Sequence, residues 1–500
     1  MSDAPALLIG DLIARNAAQV PDRVAAWLGG AAITHAELDT RANALAWALS
    51  EAGIGHGDRV LSWAGTCLDV MPLFAALAKL GAVFAPLNAL YGIEEALSVA
   101  RLARAKILIS DAEHAEAAVE LAARAAIPQR ARLQAGGPAA GDLDLAAVAS
   151  AGGRPAYREP ALQESDPHVL FFTSGSTGAP KGVVLSHRAN YLRSFQGVFL
   201  TEPERSVCMF PLFHMAGFTL ALCAWQTRGE IAFVSSATAD ELLSAVQARS
   251  ANRLYCIPAV WSRLLEVAPD RYDTSSLRVV DTGTSATPPA LLDALKARFP
   301  DAWVRVFYGS TECGSGTILE DADVLRKPGS VGLPSPGVEL KLAEGGEVCL
   351  RSAYQMDGYF DAPETTAEVL RDGWYHTGDV GSLDEEGYLS IVGRIKDIIR
   401  TGGESFAPSE VEDVLVGHPA VAEVAVVGLP DAEWGELVCA VVVAADDGPR
   451  PTLSDLQAHC AGSLAGYKKP RRIEVVDALP RTPATGQVQR VLLIEQILSR

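Results

Sequence analysis

Residues 171–188 read FFTSGSTGAPKGVVLSHR, and this stretch decides the fold. Two aromatic residues end a predicted strand, and a loop of small residues follows them. Gly175 and Gly178 can adopt backbone angles that let several N–H groups converge on an anion. The loop also offers the charge of a lysine and several hydroxyl donors, namely Lys181, Thr173, Ser174, Ser176 and Thr177. The stretch therefore predicts a phosphate-binding loop.

A bare SGSTG segment has a simpler interpretation, because Gly/Ser-rich segments are usually flexible surface loops. The stretch also differs from the common GxxxxGK[ST] phosphate loop, since Gly182 follows Lys181. The complete string and the strand before it are far more restrictive than the glycines alone, and they favour the phosphate-binding interpretation.

Length and charge limit the classes of protein that the chain can belong to. Its 500 residues are too many for one hydrophobic core, so two or more domains are expected. The formal net charge of −19 argues against a nucleic-acid partner, whose phosphates need a basic surface. Small anions stay compatible with this charge, because backbone N–H groups and a few lysines can bind them locally.

The cysteines and the apolar segments predict a soluble, cytoplasmic protein. The eight cysteines are scattered without CxxC or metal-ligand spacing, which is typical of reduced, buried thiols. The N-terminal segment lacks a basic stretch followed by an apolar core, so no signal peptide is predicted. No apolar run reaches the roughly 18–20 residues that a membrane span needs.

Alternating apolar and amphipathic segments predict an α/β fold. A helix over Met71–Leu80 and another over Ile93–Arg104 lie between strand-like runs, which is typical of βαβ units and parallel sheet. Residues 135–160, rich in Ala, Gly and Pro, predict a surface connection. After Pro328, short alternating segments predict antiparallel hairpins, and from about Ile395 a compact α+β unit of roughly 100 residues follows.

The loop segment TSGSTGAPKG resembles the phosphate loop of the adenylate-forming superfamily, which contains acyl-CoA synthetases, and the similarity extends over nearly the whole chain. The resemblance implies a large N-terminal α/β domain (1–395) with βαβ-type sheets and a small β-barrel-like part. A small mobile α+β domain (396–500) would follow, with a hinge at Lys396. Members activate a carboxylic acid with ATP to an acyl-adenylate and pass the acyl group to a thiol, usually that of CoA.

Several motifs carry the nucleotide residues that the resemblance implies. FYGSTECG (307–314) resembles the adenine and magnesium motif, with Tyr308 stacking on adenine and Thr311 and Glu312 acting in catalysis. Glu312 would hold Mg²⁺ through a hard carboxylate oxygen. Asp379, in WYHTGDVG, would accept hydrogen bonds from both ribose hydroxyls, and Arg394 would be the second ribose contact. The backbone lining the nucleotide would come from Gly283, Thr284, Ser285, Gly309 and Ser310.

The resemblance also implies an acyl pocket and a CoA tunnel. His214, in PLFHMAGF, would lie near the substrate carboxylate as a catalytic residue, although a lone histidine in apolar surroundings is more often a packed core residue. The pocket would be lined by His214, Phe213, Gly217, Phe218, Gly283 and Gly309. The CoA tunnel would be formed by Gly402, Gly403, Glu404 and Tyr467. The basic cluster GYKKPRR (466–472) fits CoA phosphates or a solvated surface equally well.

The last motif of the superfamily contains a glycine followed by a lysine, and here the segment reads PRTPATGQVQR (480–490). Gln487 stands at the position of the lysine that bridges the substrate carboxylate and the α-phosphate. The segment also holds two residues, Pro483 and Ala484, where the motif has one. A glutamine amide can donate a hydrogen bond but carries no charge, so adenylation is expected to be slow while thioester formation is intact.

Four interpretations of Gln487 stay open. In the first, the protein is a non-adenylating acyl-CoA ligase supplied by a separate adenylating enzyme. In the second, another cation compensates, either Lys181, Lys468 or Lys469. In the third, glutamine was introduced and the parent is a full synthetase, and in the fourth the protein is a non-catalytic nucleotide- or acyl-binding pseudoenzyme. The first is favoured, and its similarity to split ligases of bacterial diterpenoid pathways implies a bulky terpenoid acid.

Overall fold

The computed structural model describes residues 6–134, 142–174, 180–197, 202–445, 450–482 and 486–499. Its helices are α1 (Ile9–Gln19), α2 (His35–Glu51), α3 (Val70–Leu80), α4 (Ile93–Ala103), α5 (Ala115–Arg124), α6 (Leu145–Ala151), α7 (His187–Arg193), α8 (Met215–Gln226), α9 (Ala239–Arg249), α10 (Pro258–Leu265), α11 (Pro289–Arg298), α12 (Pro363–Val369), α13 (Pro408–Leu415), α14 (Leu453–His459) and α15 (Arg490–Leu498).

The strands of the first half are β1 (Val24–Leu28), β2 (Ala31–Thr34), β3 (Arg59–Trp63), β4 (Val83–Leu87), β5 (Ile107–Ser110), β6 (Gln129–Arg132), β7 (Leu143–Asp144), β8 (Pro167–Ser174), β9 (Pro180–Ser186), β10 (Arg205–Cys208), β11 (Glu230–Phe233) and β12 (Arg253–Tyr255). Those of the second half are β13 (Val279–Gly283), β14 (Trp303–Ser310), β15 (Gly314–Leu319), β16 (Leu333–Pro334), β17 (Val338–Leu342), β18 (Glu347–Ser352), β19 (Gly358–Tyr359), β20 (Leu370–Arg371), β21 (Trp374–Leu383), β22 (Leu389–Arg394), β23 (Ile399–Thr401), β24 (Glu404–Phe406), β25 (Val421–Asp431), β26 (Gly435–Ala444) and β27 (Arg472–Val476).

An eight-stranded sheet in the order β19-β9-β8-β4-β3-β5-β6-β7 carries the predicted phosphate loop. Strands β3 to β8 pair in parallel, and the residues of β3, β4 and β5 are almost all buried, as continuous apolar strands of a parallel sheet should be. The chain then turns back, because β8 pairs with β9 in antiparallel fashion. The loop between these two strands therefore begins at the carboxyl end of β8.

A nine-stranded sheet in the order β16-β15-β14-β13-β12-β10-β11-β1-β2 carries the other predicted nucleotide segments. β13 and β14 are parallel neighbours, so their carboxyl ends lie at the same edge of the sheet. Ligands of open α/β sheets bind at such an edge. The predicted segments after Gly283 and after Tyr308 both lie there.

A buried charge network lies beneath this edge. Arg253 and Arg305 both bind the carboxylate of Asp281, with N–O distances of 2.7 and 2.8 Å, and Arg253 also pairs with Glu204 at 3.1 Å. All four side chains are buried. The two arginines hold the pKa of the Asp281 carboxyl below its ordinary value despite the opposing effect of burial. Two positive and two negative groups compensate one another, so the network ties β12, β13 and β14 together.

The remaining sheets are smaller. One has the order β17-β18-β21-β20, with β22 on β21, and the β20–β21 and β21–β22 pairs are antiparallel, as predicted for this region. The other has the order β24-β23-β26-β25, with β27 parallel to β26. Helices α13 and α14 pack on this last sheet around Val411, Leu415 and Leu456, which completes the predicted C-terminal α+β unit.

By its internal contacts the described chain divides into two units. The first comprises residues 1–328, 334–339 and 351–375, and the second comprises 329–333, 340–350 and 376–500. This division falls before the predicted boundary at Lys396. The predicted hinge at Lys396 is the point about which the small domain would rotate during catalysis. A division by contacts does not test such a rotation, so the hinge position stays a prediction.

The predicted helices agree with the structure to within a few residues, and one short helix was not predicted. The helix predicted over Met71–Leu80 is α3, and that over Ile93–Arg104 is α4. The connection predicted over 135–160 contains α6, whose first turn is capped by Asp144 through a 3.0 Å bond from Ala147 N–H. Residues 135–141 of that segment lie outside the described residues. No helix of the described chain is long and apolar enough to cross a membrane, and all eight cysteines are free thiols.

Candidate active site

Lys181 lies at the base of the predicted phosphate loop. In the β8–β9 hairpin Thr173 pairs with Lys181 and Ser174 with Pro180, so strand register fixes the lysine beside the threonine. The Lys181 ammonium lies 5.0 Å from the centre of the Tyr359 ring. The predicted residues Gly175, Ser176, Thr177 and Gly178 lie outside the described residues. The structure therefore brings together Thr173 and Lys181 of this motif.

The segment after β13 has an unusual backbone. Gly283 has a φ of +154°, and a Cβ there would lie 2.2 Å from the Phe307 carbonyl oxygen of the neighbouring strand. Glycine is thus required by the strand packing itself, independently of any substrate. Thr284 has a φ of +69°, which is rare for a β-branched residue and is typical of strained functional segments. Ser285 follows directly.

The turn after β14 is held by a buried arginine that the sequence did not single out. Arg193, at the end of α7, donates to the carbonyl oxygens of Thr311 at 2.8 Å, Glu312 at 3.0 Å and Tyr354 at 2.8 Å. Its side chain is 2 % exposed, and burial lowers its pKa to about 10, so it stays charged at neutral pH. Arg193 therefore fixes the backbone of the two predicted catalytic residues.

Glu312 is oriented by a tyrosine. The Tyr359 hydroxyl donates to Glu312 Oε1 at 3.0 Å, and the ring of the same tyrosine faces Lys181. Mg²⁺ prefers hard oxygen ligands and usually takes one or two carboxylates, with water and substrate phosphates completing the shell. A single glutamate that contacts the same tyrosine as Lys181 fits that requirement. The adjacent Cys313 is buried with its pKa raised to about 11 by burial, as expected for a packing residue rather than a nucleophile.

His214 caps α8. Its Nδ1 accepts the N–H of Ala216 at 3.2 Å, and its ring stacks on Phe210 with centroids 5.3 Å apart. Burial lowers its pKa to about 4, so the ring is neutral at neutral pH. A nitrogen that accepts an N–H carries no proton, so the proton of the ring lies on Nε2. His214 can therefore donate a hydrogen bond from Nε2.

The predicted pocket residues divide between core and site. Phe218 is 2 % exposed and packs on Phe74 and Phe84 with ring centroids 4.8 and 5.2 Å apart, so it belongs to the aromatic core. Gly217 follows His214 closely in α8, and a Cβ there would lie 3.0 Å from the Pro211 carbonyl oxygen. Phe213 and His214 are partly exposed. The ring centroids of Phe210 and Tyr255 lie 5.4 Å apart, and the Tyr255 ring in turn contacts Phe307, so the aromatic contacts extend toward Phe307.

The predicted ribose pair lies in the second unit. Asp379 on β21 is opposite Arg394 on β22, and Arg394 Nε lies 2.9 Å from Asp379 Oδ1. The strand before Asp379 is braced by His376, whose Nδ1 lies 2.7 Å from Glu347 Oε2. Asp379 is 8 % exposed and Arg394 is mostly exposed. The structure brings these two predicted residues into direct contact, and Lys396 follows in an exposed turn.

The predicted CoA residues gather around a tryptophan. Gly402 and Gly403 have φ values of +59° and +85° between the paired residues Thr401 and Glu404, which is the geometry of a type I′ hairpin. Gly402 N–H donates to the Trp434 carbonyl oxygen at 2.9 Å. Further connections lead to Tyr467, because Arg471 lies 3.9 Å above the Trp434 ring and donates to the Tyr467 carbonyl oxygen at 3.1 Å.

Gln487 lies in a short hairpin of the second unit. Thr482 N–H donates to the Gln487 carbonyl oxygen at 2.8 Å, and Gln487 N–H donates to Thr482 Oγ1 at 3.0 Å. Arg481 and Val488 form the antiparallel bridge beside them. The Gln487 side chain is exposed. Residues 483–485, which contain the extra residue of the motif, lie outside the described residues.

Sequence reasoning missed Arg193, Tyr359, Trp434 and Arg471. Arg193 had no motif to mark it. Arg471 stood in the basic cluster 466–472, but its contact with the Trp434 ring depends on a distant segment. Tyr359 stands in a Gly-Tyr-Phe segment that resembles any strand. Trp434 was detectable only as a large aromatic residue in a turn between polar residues, which is a weak signal.

Comparisons with known proteins identify the family of the chain. The family described as "AMP-binding enzyme" matches residues 13–360, and the family described as "AMP-binding enzyme C-terminal domain" matches residues 410–485. A feruloyl-CoA synthase from Amycolatopsis sp is 36 % identical over 506 residues, which cover 96 % of this chain and 98 % of that protein.

Solved structures show the same fold. The amide bond synthetase McbA from Marinactinospora thermotolerans is 30 % identical with a TM-score of 0.86, over 97 % of this chain and 99 % of the other. The o-succinylbenzoate CoA synthetase MenE from Bacillus subtilis, solved with the acyl-adenylate intermediate OSB-AMP, is 25 % identical with a TM-score of 0.84, over 96 % and 97 %. The chain therefore belongs to the AMP-binding enzyme family, with its large N-terminal and small C-terminal domains, and is an acyl-CoA ligase that acts through an acyl-adenylate.

Proposed function

We propose that this acyl-CoA ligase mainly converts a supplied acyl-adenylate and CoA into an acyl-CoA thioester, and that it performs the preceding adenylation slowly. One observation carries the proposal: an uncharged Gln487 occupies the position that the last motif of the superfamily gives to lysine. The remaining predicted nucleotide and CoA residues are of the expected types.

The missing charge affects the first half-reaction. As a carboxylate oxygen of the acid bonds to the α-phosphorus, the bond to pyrophosphate breaks and negative charge grows on the non-bridging oxygens of the phosphorus. A positioned ammonium would stabilise this charge and would reduce the repulsion between the carboxylate and the phosphate. A glutamine amide supplies one dipole instead. Loss of one preorganised donor of this kind lowers a rate by about 10²–10³.

The second half-reaction needs other groups. The thiol sulfur bonds to the acyl carbon, the bond from that carbon to the phosphate oxygen breaks, and AMP leaves with the electron pair while the thiol proton passes to solvent. His214 would donate from Nε2 to the carbonyl or phosphate oxygen that gains charge. Asp379 and Arg394 would bind the ribose, and the Gly402–Gly403 hairpin would admit the pantetheine.

An enzyme that performs mainly the second half-reaction needs a partner enzyme for the first. A carboxylic acid must be adenylated before this enzyme can use it, so a separate adenylating enzyme would supply the acyl-adenylate. ATP would then be consumed by that enzyme, and AMP would be the nucleotide released here. Glu312, with its carboxylate oriented by Tyr359, would hold Mg²⁺ during whatever adenylation this chain performs.

We propose a bulky, ring-bearing acid as the acyl group. A terpenoid-derived acid follows from the similarity to split ligases. A phenylpropenoid acid is the second candidate, supported by the 36 % identity to a feruloyl-CoA synthase and by the aromatic rings of Phe210 and Tyr255 beside His214. Synthetic adenylates of a polycyclic terpenoid acid and of ferulic acid, compared for thioester formation, would separate the two.

The test compares two activities of the same preparation. Pyrophosphate exchange with each free acid measures adenylation, and CoA-thioester formation from the synthetic adenylate measures the second step. Weak exchange with brisk thioester formation supports the proposal. Brisk exchange contradicts it and would mean that Lys181, Lys468 or Lys469 compensates, whereas failure of both activities with every acid would favour a binding protein.

A further inference from the structure

Tyr359 is held rigidly against the strand that leaves the phosphate loop. It pairs with Val183 in the antiparallel β9–β19 contact. The next residue, Phe360, donates its N–H to the Gly182 carbonyl oxygen at 2.7 Å, and Tyr359 N–H donates to Thr366 Oγ1 at 2.9 Å. The tyrosine backbone and the segment that carries Lys181 therefore move together.

The Tyr359 side chain contacts two groups that lie on different sheets. Its hydroxyl donates to Glu312 Oε1 at 3.0 Å, and its ring faces the Lys181 ammonium at 5.0 Å. The residue is 8 % exposed, so little water competes for either contact. Glu312 follows β14 of the nine-stranded sheet, whereas Lys181 is the second residue of β9 in the eight-stranded sheet.

The Tyr359 hydroxyl is the donor in its bond to Glu312, because a carboxylate oxygen accepts. Tyr375 lies alongside and is bonded to both Tyr359 and Ser310. The Tyr359 hydroxyl therefore fixes one oxygen of the glutamate.

We propose that Tyr359 is a positioning residue. Its hydroxyl orients the Glu312 carboxylate to bind a divalent cation, and its ring positions the Lys181 ammonium to bind the phosphates. This inference rests on the proposed roles of Glu312 and Lys181 in nucleotide binding. The two contacts use different parts of one side chain, so they can be removed separately. Tyr359→Phe removes the hydroxyl and keeps the ring, and Tyr359→Leu removes both.

A merely structural role predicts a different result from a positioning role. If the hydroxyl only fills space in the core, Tyr359→Phe lowers thermal stability and weakens nucleotide binding equally at all Mg²⁺ concentrations. If it orients the metal carboxylate, the loss depends on Mg²⁺ and disappears when Mg²⁺ is saturating. Hydrogen bonds to charged groups are worth enough to shift the half-maximal Mg²⁺ concentration roughly tenfold.

The experiment measures the binding of α,β-methylene-ATP to the full chain by calorimetry across a Mg²⁺ series. This ATP analogue cannot transfer its adenylyl group to an acid. Tyr359→Phe should raise the half-maximal Mg²⁺ concentration roughly tenfold with unchanged affinity at saturation. Tyr359→Leu should also weaken binding about threefold to tenfold without Mg²⁺, because Lys181 loses the ring. Tyr157→Phe, which removes a single hydroxyl bond to Ser50 Oγ, is the matched control and should change neither value.

An unchanged Mg²⁺ dependence in Tyr359→Phe, or a loss equal at all Mg²⁺ concentrations, would overturn the inference. Nucleotide binding by the wild-type chain that ignores Mg²⁺ would overturn it as well, together with the assignment of Glu312. The readout needs no turnover, so a finding that the enzyme adenylates rapidly would contradict the proposed function and leave this result standing.

Discussion

At the residue scale, Gln487 begins the returning strand of a hairpin whose outgoing strand contains Arg481 and Thr482. Two hydrogen bonds hold the Gln487 backbone, one from the Thr482 N–H and one to the Thr482 side-chain oxygen, while the Gln487 side chain is exposed. Its chemistry can therefore be changed without disturbing the second unit. Arg481 is already engaged with the Gly486 carbonyl oxygen at 2.7 Å and with Glu423 at 2.6 Å, so it is a poor substitute for a mobile ammonium.

If Gln487 has the proposed role, Gln487→Lys should raise pyrophosphate exchange by about 10²–10³, because it would restore the positive charge that the superfamily motif supplies to the transition state. Thioester formation from synthetic acyl-adenylate should change little. Gln489→Lys, two residues along the same strand, supplies the same charge at the wrong position and should leave exchange unchanged. An equal gain from both variants would show that net charge, rather than position, matters.

The neutral state of His214 leads to a prediction about pH. With a pKa of about 4 and Nδ1 occupied by the Ala216 N–H, His214 should not titrate between pH 5.5 and 8. Single-turnover thioester formation should therefore show no ionisation that depends on His214 in that range. His214→Asn keeps a helix-capping side chain and is the control. An acidic limb near pH 6.5 that disappears in His214→Asn would identify the residue as a base instead.

At the element scale, close strand packing shapes the site more than loops do. Gly283 ends β13 where the Phe307 carbonyl oxygen leaves no room for a Cβ, and Arg193 ties α7 to the turn after β14. The motif pattern predicted that Gly283 matters but attributed this to the substrate. The structure shows a separate reason, a strand contact whose partner lies 24 residues along the chain, and spacing in sequence cannot reveal it. The role at the substrate stays a prediction.

Gly283→Ala should destabilise the first unit by about 3 kcal/mol or more, because the added Cβ meets backbone and the φ of +154° is unfavourable for alanine. Chemical denaturation followed by intrinsic fluorescence measures this. Gly30→Ala is the matched control, since nothing lies within 4 Å of its added Cβ, and its effect should stay within about 0.5 kcal/mol. Similar costs for the two variants would contradict the packing argument.

At the scale of the whole molecule, the order of motifs along the chain predicted the α/β class, the C-terminal α+β unit and the types of the site residues. The predicted elements were accurate where the segment was continuously apolar, as in α3, or clearly amphipathic, as in α4. Helix α6 was missed because an Ala-rich segment with little apolar periodicity resembles a connection. Arg193 and Tyr359 were missed because a single buried side chain gains its role only from distant segments.

Buried histidines predict acid sensitivity of the first unit. Burial lowers the pKa of both His35 and His187 to about 4, so each is neutral in the fold and protonates first in the unfolded chain. Their stabilising contribution is complete above pH 6.5 and is lost as the pH falls toward 4, by up to about 3 kcal/mol each. Urea unfolding at pH 7, 6, 5 and 4.5 should show this decline. His187→Gln should flatten it, and an unchanged slope in that variant would contradict the assignment.

Division of the ligase reaction between two proteins is the central claim, and rapid-quench kinetics under single-turnover conditions test it most directly. One experiment follows acyl-adenylate formation from the free acid and MgATP on the wild-type enzyme, and the other follows consumption of the same adenylate by CoA. Adenylate formation should be slower than its consumption by at least about 10². Adenylate formation as fast as its consumption, with Gln487 in place, would contradict the account.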